Sequence, residues 1–203
     1  MRIVRALPSS MLFLAALVLA ACQAAKPSEP AQPPYVVSGT IKDIMQGIVD
    51  TNADVVWQSV SAVSNEKGLQ EIRPQNDEDW AKVRHGAYAL AEATNLLMMP
   101  GRRVARPGEK SETPGIELEP EEMDALIAKD RPEFYKRAAA LREAALEVVA
   151  AVDKKDADKV FEVGEHIERA CENCHKHYWY PNEVIPDLPP LTPESAPATT
   201  GKK

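Results

Sequence analysis

Apolar side chains recur three and four residues apart in four segments of this 203-residue chain. The first segment covers residues 38–64 and includes Ile41 and Met45, and the second follows Asn76-Asp77 and ends before Pro100. This spacing gathers apolar groups on one face of an α-helix, and that face must pack against other helices. We therefore predict helix A over residues 38–64 and helix B between the Asn-Asp pair and the proline.

Two further helices are predicted in the second half of the chain. Pro120 opens helix C, which is interrupted at Pro132 and continues through Val152, and helix D then runs until Pro181 stops it. We find no segment with the two-residue alternation of a strand and no internal repeat. One domain is expected for this length. The pattern predicts an all-α, four-helix, up-down-up-down bundle over residues 38–180.

The first 21 residues have the pattern of an export signal, because Arg2 and Arg5 precede a hydrophobic stretch that ends at Leu19. This stretch is too short to span a bilayer. The sequence Leu19-Ala20-Ala21-Cys22 resembles the lipobox of bacterial lipoproteins, which implies cleavage before Cys22 and diacylglycerol on its sulfur. The alternative is an ordinary signal peptide followed by an incidental cysteine.

A lipid on Cys22 would anchor the mature chain to a membrane on the periplasmic side. Gln23 follows this cysteine, and the usual sorting rule then favours the outer membrane of a Gram-negative cell. Residues 22–37 and 181–203 are rich in proline and are predicted to be an unpacked tether and tail. The formal charge of −7 disfavours nucleic acid as a partner and favours basic proteins.

Cys171 and Cys174 stand in the sequence Cys171-Glu172-Asn173-Cys174-His175, near the end of helix D. C-x-x-C-H is the attachment sequence for haem, because two thiols at this spacing can add to its two vinyl groups while the next imidazole reaches the iron. On a helix the three side chains crowd one arc. We predict one covalent haem c, with His175 as an axial ligand of its iron.

Two other chemistries could use the same residues. A redox-active dithiol needs a strand-to-helix context, whereas this motif closes a helix in a chain predicted to be all-α. A zinc site could be written from Cys171, Cys174, His175 and His177, although structural zinc sites usually draw their second pair of ligands from a separate element. Covalent haem in an exported chain is favoured over both.

This motif resembles that of class II c-type cytochromes, the cytochrome c-prime and cytochrome c556 group, in which C-x-x-C-H-x-x-Y lies near the end of the fourth helix of a bundle. The matching residues are Cys171, Cys174, His175 and Tyr178. Over the rest of residues 38–180 the likeness is architectural. Members commonly carry Arg or Lys after the tyrosine, where this chain has Trp179. The resemblance implies a haem protein and not an enzyme, with periplasmic or membrane redox proteins as partners and a homodimer as a frequent arrangement.

The ligand opposite His175 decides between two functions. With Met or His there, the haem is an electron carrier, whereas an open iron face binds NO or CO. His85 and His166 lie too far along their helices to reach the iron, and His177 points to the opposite side of helix D. Met45 lies at about the same level of the predicted bundle as His175, and it corresponds to the helix A methionine of the cytochrome c556 type. We predict Met45 as the sixth ligand; if it only fills the core, gas binding of the cytochrome c-prime type is the alternative function.

The remaining candidates at this end of the predicted bundle are weaker. Met98 and Met99 end helix B, and Met123 lies in the segment that opens helix C. Guanidinium groups pair well with carboxylates, so arginines after helix B are candidates to bind the haem propionates. These arginines are Arg102, Arg103 and Arg106, with Lys42 as a similar candidate.

Overall fold

The computed structural model describes residues 35–66 and 68–184. The chain divides into residues 1–36, of which Tyr35 and Val36 are described, and residues 37–203. The predicted signal peptide, Cys22, most of the tether and the tail beyond residue 184 lie outside the described residues. The described part is mostly helical, with a small two-stranded sheet.

Helix α1 begins after Thr40 and contains one irregular turn. It consists of Ile41–Ile44, the π-helical segment Met45–Val49 and Asp50–Ser59. The Thr40 hydroxyl accepts a hydrogen bond from the Asp43 N–H, and the Asp43 carboxylate accepts one from the Thr40 N–H, so the first turn is closed by a capping box. In the π-helical segment the Asp50 N–H donates to the Met45 carbonyl. Such turns occur frequently at functional sites.

A β-hairpin stands where helix A was predicted to continue. Strand β1 (Ser61–Asn65) pairs antiparallel with strand β2 (Gly68–Ile72), so the all-α prediction is wrong here and helix A ends at Ser59. Gly68 has a φ of 100°, a conformation that glycine adopts without strain in a tight turn. Both strands are largely exposed, and a strand with no buried face needs no apolar alternation.

The other predicted helices are confirmed as helical segments. They are α2 (Asp77–Met98), α3 (Pro120–Lys129), α4 (Arg131–Asp153) and α5 (Ala157–Tyr178). Side chains of Asn76, Asp130 and Asp156 accept hydrogen bonds at the starts of α2, α4 and α5. Asp130 separates α3 from α4, and Pro132 lies in the first turn of α4, where its missing N–H costs nothing. Among the described helices, none is both long and apolar enough to cross a membrane.

The core lies between α1, α2, α4 and α5. Helix α4 packs on α2 and α5, and α1 packs on the same two helices. Each of the four contributes a fully buried side chain, respectively Val56, Leu90, Val148 and Ile167. Gly86 permits the close approach of α1 to α2, because a Cβ there would lie 3.0 Å from Val55 Cγ1.

Candidate functional site

A cavity of about 620 Å³ opens beside the C-terminal end of α5. Most of its wall is apolar, including Val49, Ala53, Leu97, Ile127 and Leu141. Small-molecule and cofactor sites have volumes of roughly 300–1,000 Å³ and apolar walls with a few polar groups. The cavity therefore has the size and lining of a cofactor site.

Helix α5 brings Cys171, Cys174 and His175 to the wall of this cavity. The buried face of the helix includes Val163 and Ile167, and one further turn along this face lies Cys171. Core packing thus fixes the orientation of α5, and the helical repeat carries the cysteines and the histidine to one side.

Burial changes the chemistry of the two thiols. It raises the pKa of Cys171 to about 12, with further increases from nearby negative charges. It raises the pKa of Cys174 to about 11, although the Arg137 charge acts in the opposite direction. Both sulfurs are therefore protonated at neutral pH, whereas a redox-active dithiol depends on a thiolate. This geometry does not favour thioredoxin-type chemistry.

The zinc alternative is not favoured either. Within residues 35–66 and 68–184, no group of three or more His, Cys, Asp or Glu side chains is placed to hold a metal ion. The exposed His177 packs its ring against Tyr178, with the ring centroids 4.5 Å apart, and does not line the cavity. His177 therefore does not join Cys171, Cys174 and His175 to complete a set of four zinc ligands.

The imidazole of His175 is held among aromatic rings at the cavity wall. Its ring lies edge-on to Trp179 at 5.1 Å and to Tyr180 at 5.9 Å between centroids. The Tyr180 hydroxyl donates a 2.7 Å hydrogen bond to Glu172, which fixes this ring in turn. Burial lowers the pKa of His175, against the opposing charges of Glu172 and Asp50. The neutral imidazole, which is the form that binds a metal, is therefore favoured.

Met45 and Met123 are the described methionines that line the cavity. Met45 stands at the first position of the π-helical segment and is half-buried against the core. Met123 lies on α3, one turn before the buried Ile127, and sequence reasoning placed it among the weaker candidates. Met99 has another contact, since its sulfur lies 3.3 Å from the Arg102 guanidinium. The structure thus places Met45 and Met123 on the wall of the same cavity as His175.

The arginines after α2 do not line the cavity. Arg102 is buried and donates to the backbone carbonyls of Leu96 and Gly39, while Arg103 pairs with Asp124 and Arg106 with Asp43. Their predicted role toward propionates is therefore unsupported. The basic side chains that do line it are Lys42, Lys110 and Arg137.

Arg137 was missed by sequence reasoning. Its only signal is its place on α4, three residues after the buried Phe134 and four before the buried Leu141, both of which line the cavity. The same spacing on a predicted helix is also compatible with a solvated arginine whose stem covers apolar surface.

No family model, curated protein or solved structure matches this chain. The site is thus defined by its own residues. Two neutral thiols and a neutral imidazole at C-x-x-C-H spacing, beside an apolar cavity with a thioether on its wall, fit a covalently held haem.

Proposed function

We propose that this chain is a monohaem c-type cytochrome that carries electrons at the cell envelope. The observation that carries the proposal is the convergence of Cys171, Cys174 and His175 on one apolar cavity of about 620 Å³. A haem bound there would supply one-electron chemistry at its iron. No substrate is converted by a protein of this kind, so enzymatic activity is not expected.

Each residue of the motif has a separate task in this proposal. The Cys171 and Cys174 thiols would attach the two vinyl groups, each forming a carbon–sulfur bond while its hydrogen passes to the neighbouring vinyl carbon. The His175 imidazole, whose neutral form is favoured by burial, would hold the iron. Met45 would supply a second ligand to the iron through its sulfur, and its place on the cavity wall supports this role.

We also infer the arrangement of the helices that would enclose the haem. Contacts run from α1 to α2, from α2 to α4, from α4 to α5 and from α5 back to α1. A closed ring of contacts between consecutive long helices supports an up-down-up-down four-helix bundle, with α3 as an added segment before α4. Cofactor sites of such bundles are built from side chains on facing helices.

The cellular location is proposed from the leader sequence. The lipobox-like Leu19-Ala20-Ala21-Cys22 supports export and lipid attachment. Anchored in this way, the domain would exchange electrons with periplasmic or membrane redox proteins, and its net negative charge would favour basic docking surfaces.

The proposal is tested by expressing the chain with haem-attachment machinery and extracting the purified protein with acidic acetone. Haem should stay with the wild-type protein and be absent from the Cys171→Ser/Cys174→Ser variant. His175→Ala should perturb the optical spectrum, while His177→Ala, on the same helix but exposed, should leave it unchanged. Haem that is extracted completely, or never bound, would refute covalent attachment. A wild-type spectrum that changes rapidly on exposure to CO would favour gas binding over electron transfer.

A further inference from the structure

Three buried polar atoms lack a hydrogen-bond partner within the described part of the chain. They are Ser111 Oγ, Arg137 Nε and Tyr178 Oη. Buried polar groups in native proteins are almost always hydrogen-bonded, so each unpaired atom calls for an explanation. All three residues line the cavity that contains the C-x-x-C-H motif. Partners for these atoms are therefore expected in the ligand of this cavity.

The guanidinium of Arg137 is already held at its two terminal nitrogens. Nη1 donates a 2.6 Å hydrogen bond to the backbone carbonyl of Asn173, which lies between the two cysteines of the motif, and Nη2 is 2.9 Å from Glu133. Of its three nitrogens, Nε is the buried one without a partner. An arginine offers no acceptor, so its missing partner must accept a hydrogen bond.

Tyr178 supplies a second donor from helix α5. Its side chain is 5% exposed, and its ring packs edge-on against Phe134 with the centroids 5.6 Å apart. Phe134 lies one turn before Arg137 on α4, so the tyrosine packs against the same helix that carries the arginine. Ser111, from the loop between α2 and α3, adds a second hydroxyl to the cavity wall.

The hydrogen-bond donors of Arg137 and Tyr178 determine which kind of ligand can bind between them. A guanidinium and a neutral hydroxyl bind an anionic oxygen through charge-assisted hydrogen bonds, and a carboxylate can accept from several donors at once. We propose that Arg137 and Tyr178 form a carboxylate-binding site in this cavity and that its ligand is a propionate of the covalently bound haem. This inference rests on the proposed function for the identity of the carboxylate.

The test uses the holoprotein with its haem propionates labelled. Cells supplied with 5-aminolaevulinate carrying ¹³C at the carboxyl carbon place the label in the two propionate carboxylates, so the infrared bands that move with the label belong to them. Arg137→Gln and Tyr178→Phe should each shift a labelled carboxylate band. Arg137→Lys should do the same, because it keeps the charge but loses the Nε–H donor, and it serves if the glutamine variant does not fold.

Two neighbouring residues provide matched controls. Lys136 also pairs with Glu133, at 3.7 Å, and Tyr135 also packs against Phe134, with ring centroids 6.4 Å apart, yet neither lines the cavity. Lys136→Gln and Tyr135→Phe should therefore leave the labelled bands unchanged.

The outcomes separate the inference from the function on which it rests. Acid-stable haem with labelled bands that stay fixed in the Arg137 and Tyr178 variants would overturn the carboxylate site and leave the cytochrome proposal standing. An unlabelled carboxylate band is also expected to shift in the Arg137 variants, because Glu133 loses its partner there. The labelled bands alone therefore decide whether a propionate binds at this site. Absence of acid-stable haem would remove the proposed function and the inference together.

Discussion

The indole N–H of Trp57 donates a 3.1 Å hydrogen bond to the backbone carbonyl of Gly164, which joins α1 to α5. A Cβ at position 164 would lie 3.3 Å from Trp57 Cδ1, so the absence of a side chain lets the indole approach the helix backbone. Trp57 also lines the cavity. This contact therefore supports one wall of the proposed haem site.

Trp57→Phe keeps an aromatic ring in this position but removes the hydrogen bond. We expect the free energy of unfolding to fall by about 1 kcal/mol, the usual net contribution of such a bond. Trp57→Ala, which also removes the packing of the partly buried ring, should lower the free energy of unfolding further. Urea denaturation followed by circular dichroism measures both changes. A Trp57→Phe variant as stable as the wild type would show that the hydrogen bond makes no net contribution.

The thiols of the haem-free protein should react slowly with iodoacetamide. A chain that starts at residue 23 and carries Cys171→Ser has Cys174 as its single thiol. Burial raises the pKa of this thiol from 9.0 to about 11, so at pH 8 the thiolate fraction should fall about 100-fold, tenfold for each pKa unit. Alkylation should accelerate correspondingly in urea. Equal rates in the folded and unfolded protein would contradict the burial of the site.

Met45→Ala tests the sixth ligand of the proposed haem. The wild-type ferric protein should be low-spin, and the ferrous protein should bind CO slowly; the variant should bind CO rapidly and have a lower reduction potential, because a thioether favours ferrous iron. Met98→Ala, outside the cavity, is the control. If Met123→Ala opens the iron to CO and Met45→Ala does not, the sixth ligand is Met123. A wild-type protein that is already high-spin would have neither methionine bound to its iron.

Cys22→Ala tests lipid attachment. Radiolabelled fatty acid should appear on the wild-type chain, which should sediment with membranes, and the variant should be unlabelled and released into the soluble fraction. Gln23→Ala changes the neighbouring residue, keeps the acylated cysteine and should remain labelled. Unlabelled wild-type protein in the soluble fraction would exclude the anchor.

The sequence predicted those parts of the fold that bury an apolar face. Helices A to D each carry a stripe of core residues, and the buried side chains Val56, Leu90, Val148 and Ile167 come from those stripes. The hairpin was missed because its strands are exposed and therefore need no alternation. The placement of the two cysteines and His175 on one face of a helix could be predicted from their spacing alone, because helical geometry depends only on neighbouring residues.

The other parts of the site depend on tertiary contacts that a single sequence does not contain. The break at Asp130 lets α3 turn Met123 toward the cavity, although the sequence showed only a helical segment before Pro132. The contacts of the arginines after α2 could not be predicted for a similar reason, since Arg102 donates to the carbonyl of Gly39, 63 residues away in the sequence. Arg137 instead lines the cavity from α4, a helix in which the sequence had predicted no residue that binds a ligand.

Mass spectrometry of the peptide that contains Cys171 and Cys174 tests the central claim most directly. In protein made with haem-attachment machinery, this peptide should carry the mass of one haem, bound through both sulfurs. The same peptide from cells without the machinery should be unmodified. Two free cysteines in the peptide from cells with active machinery would contradict covalent haem at this site.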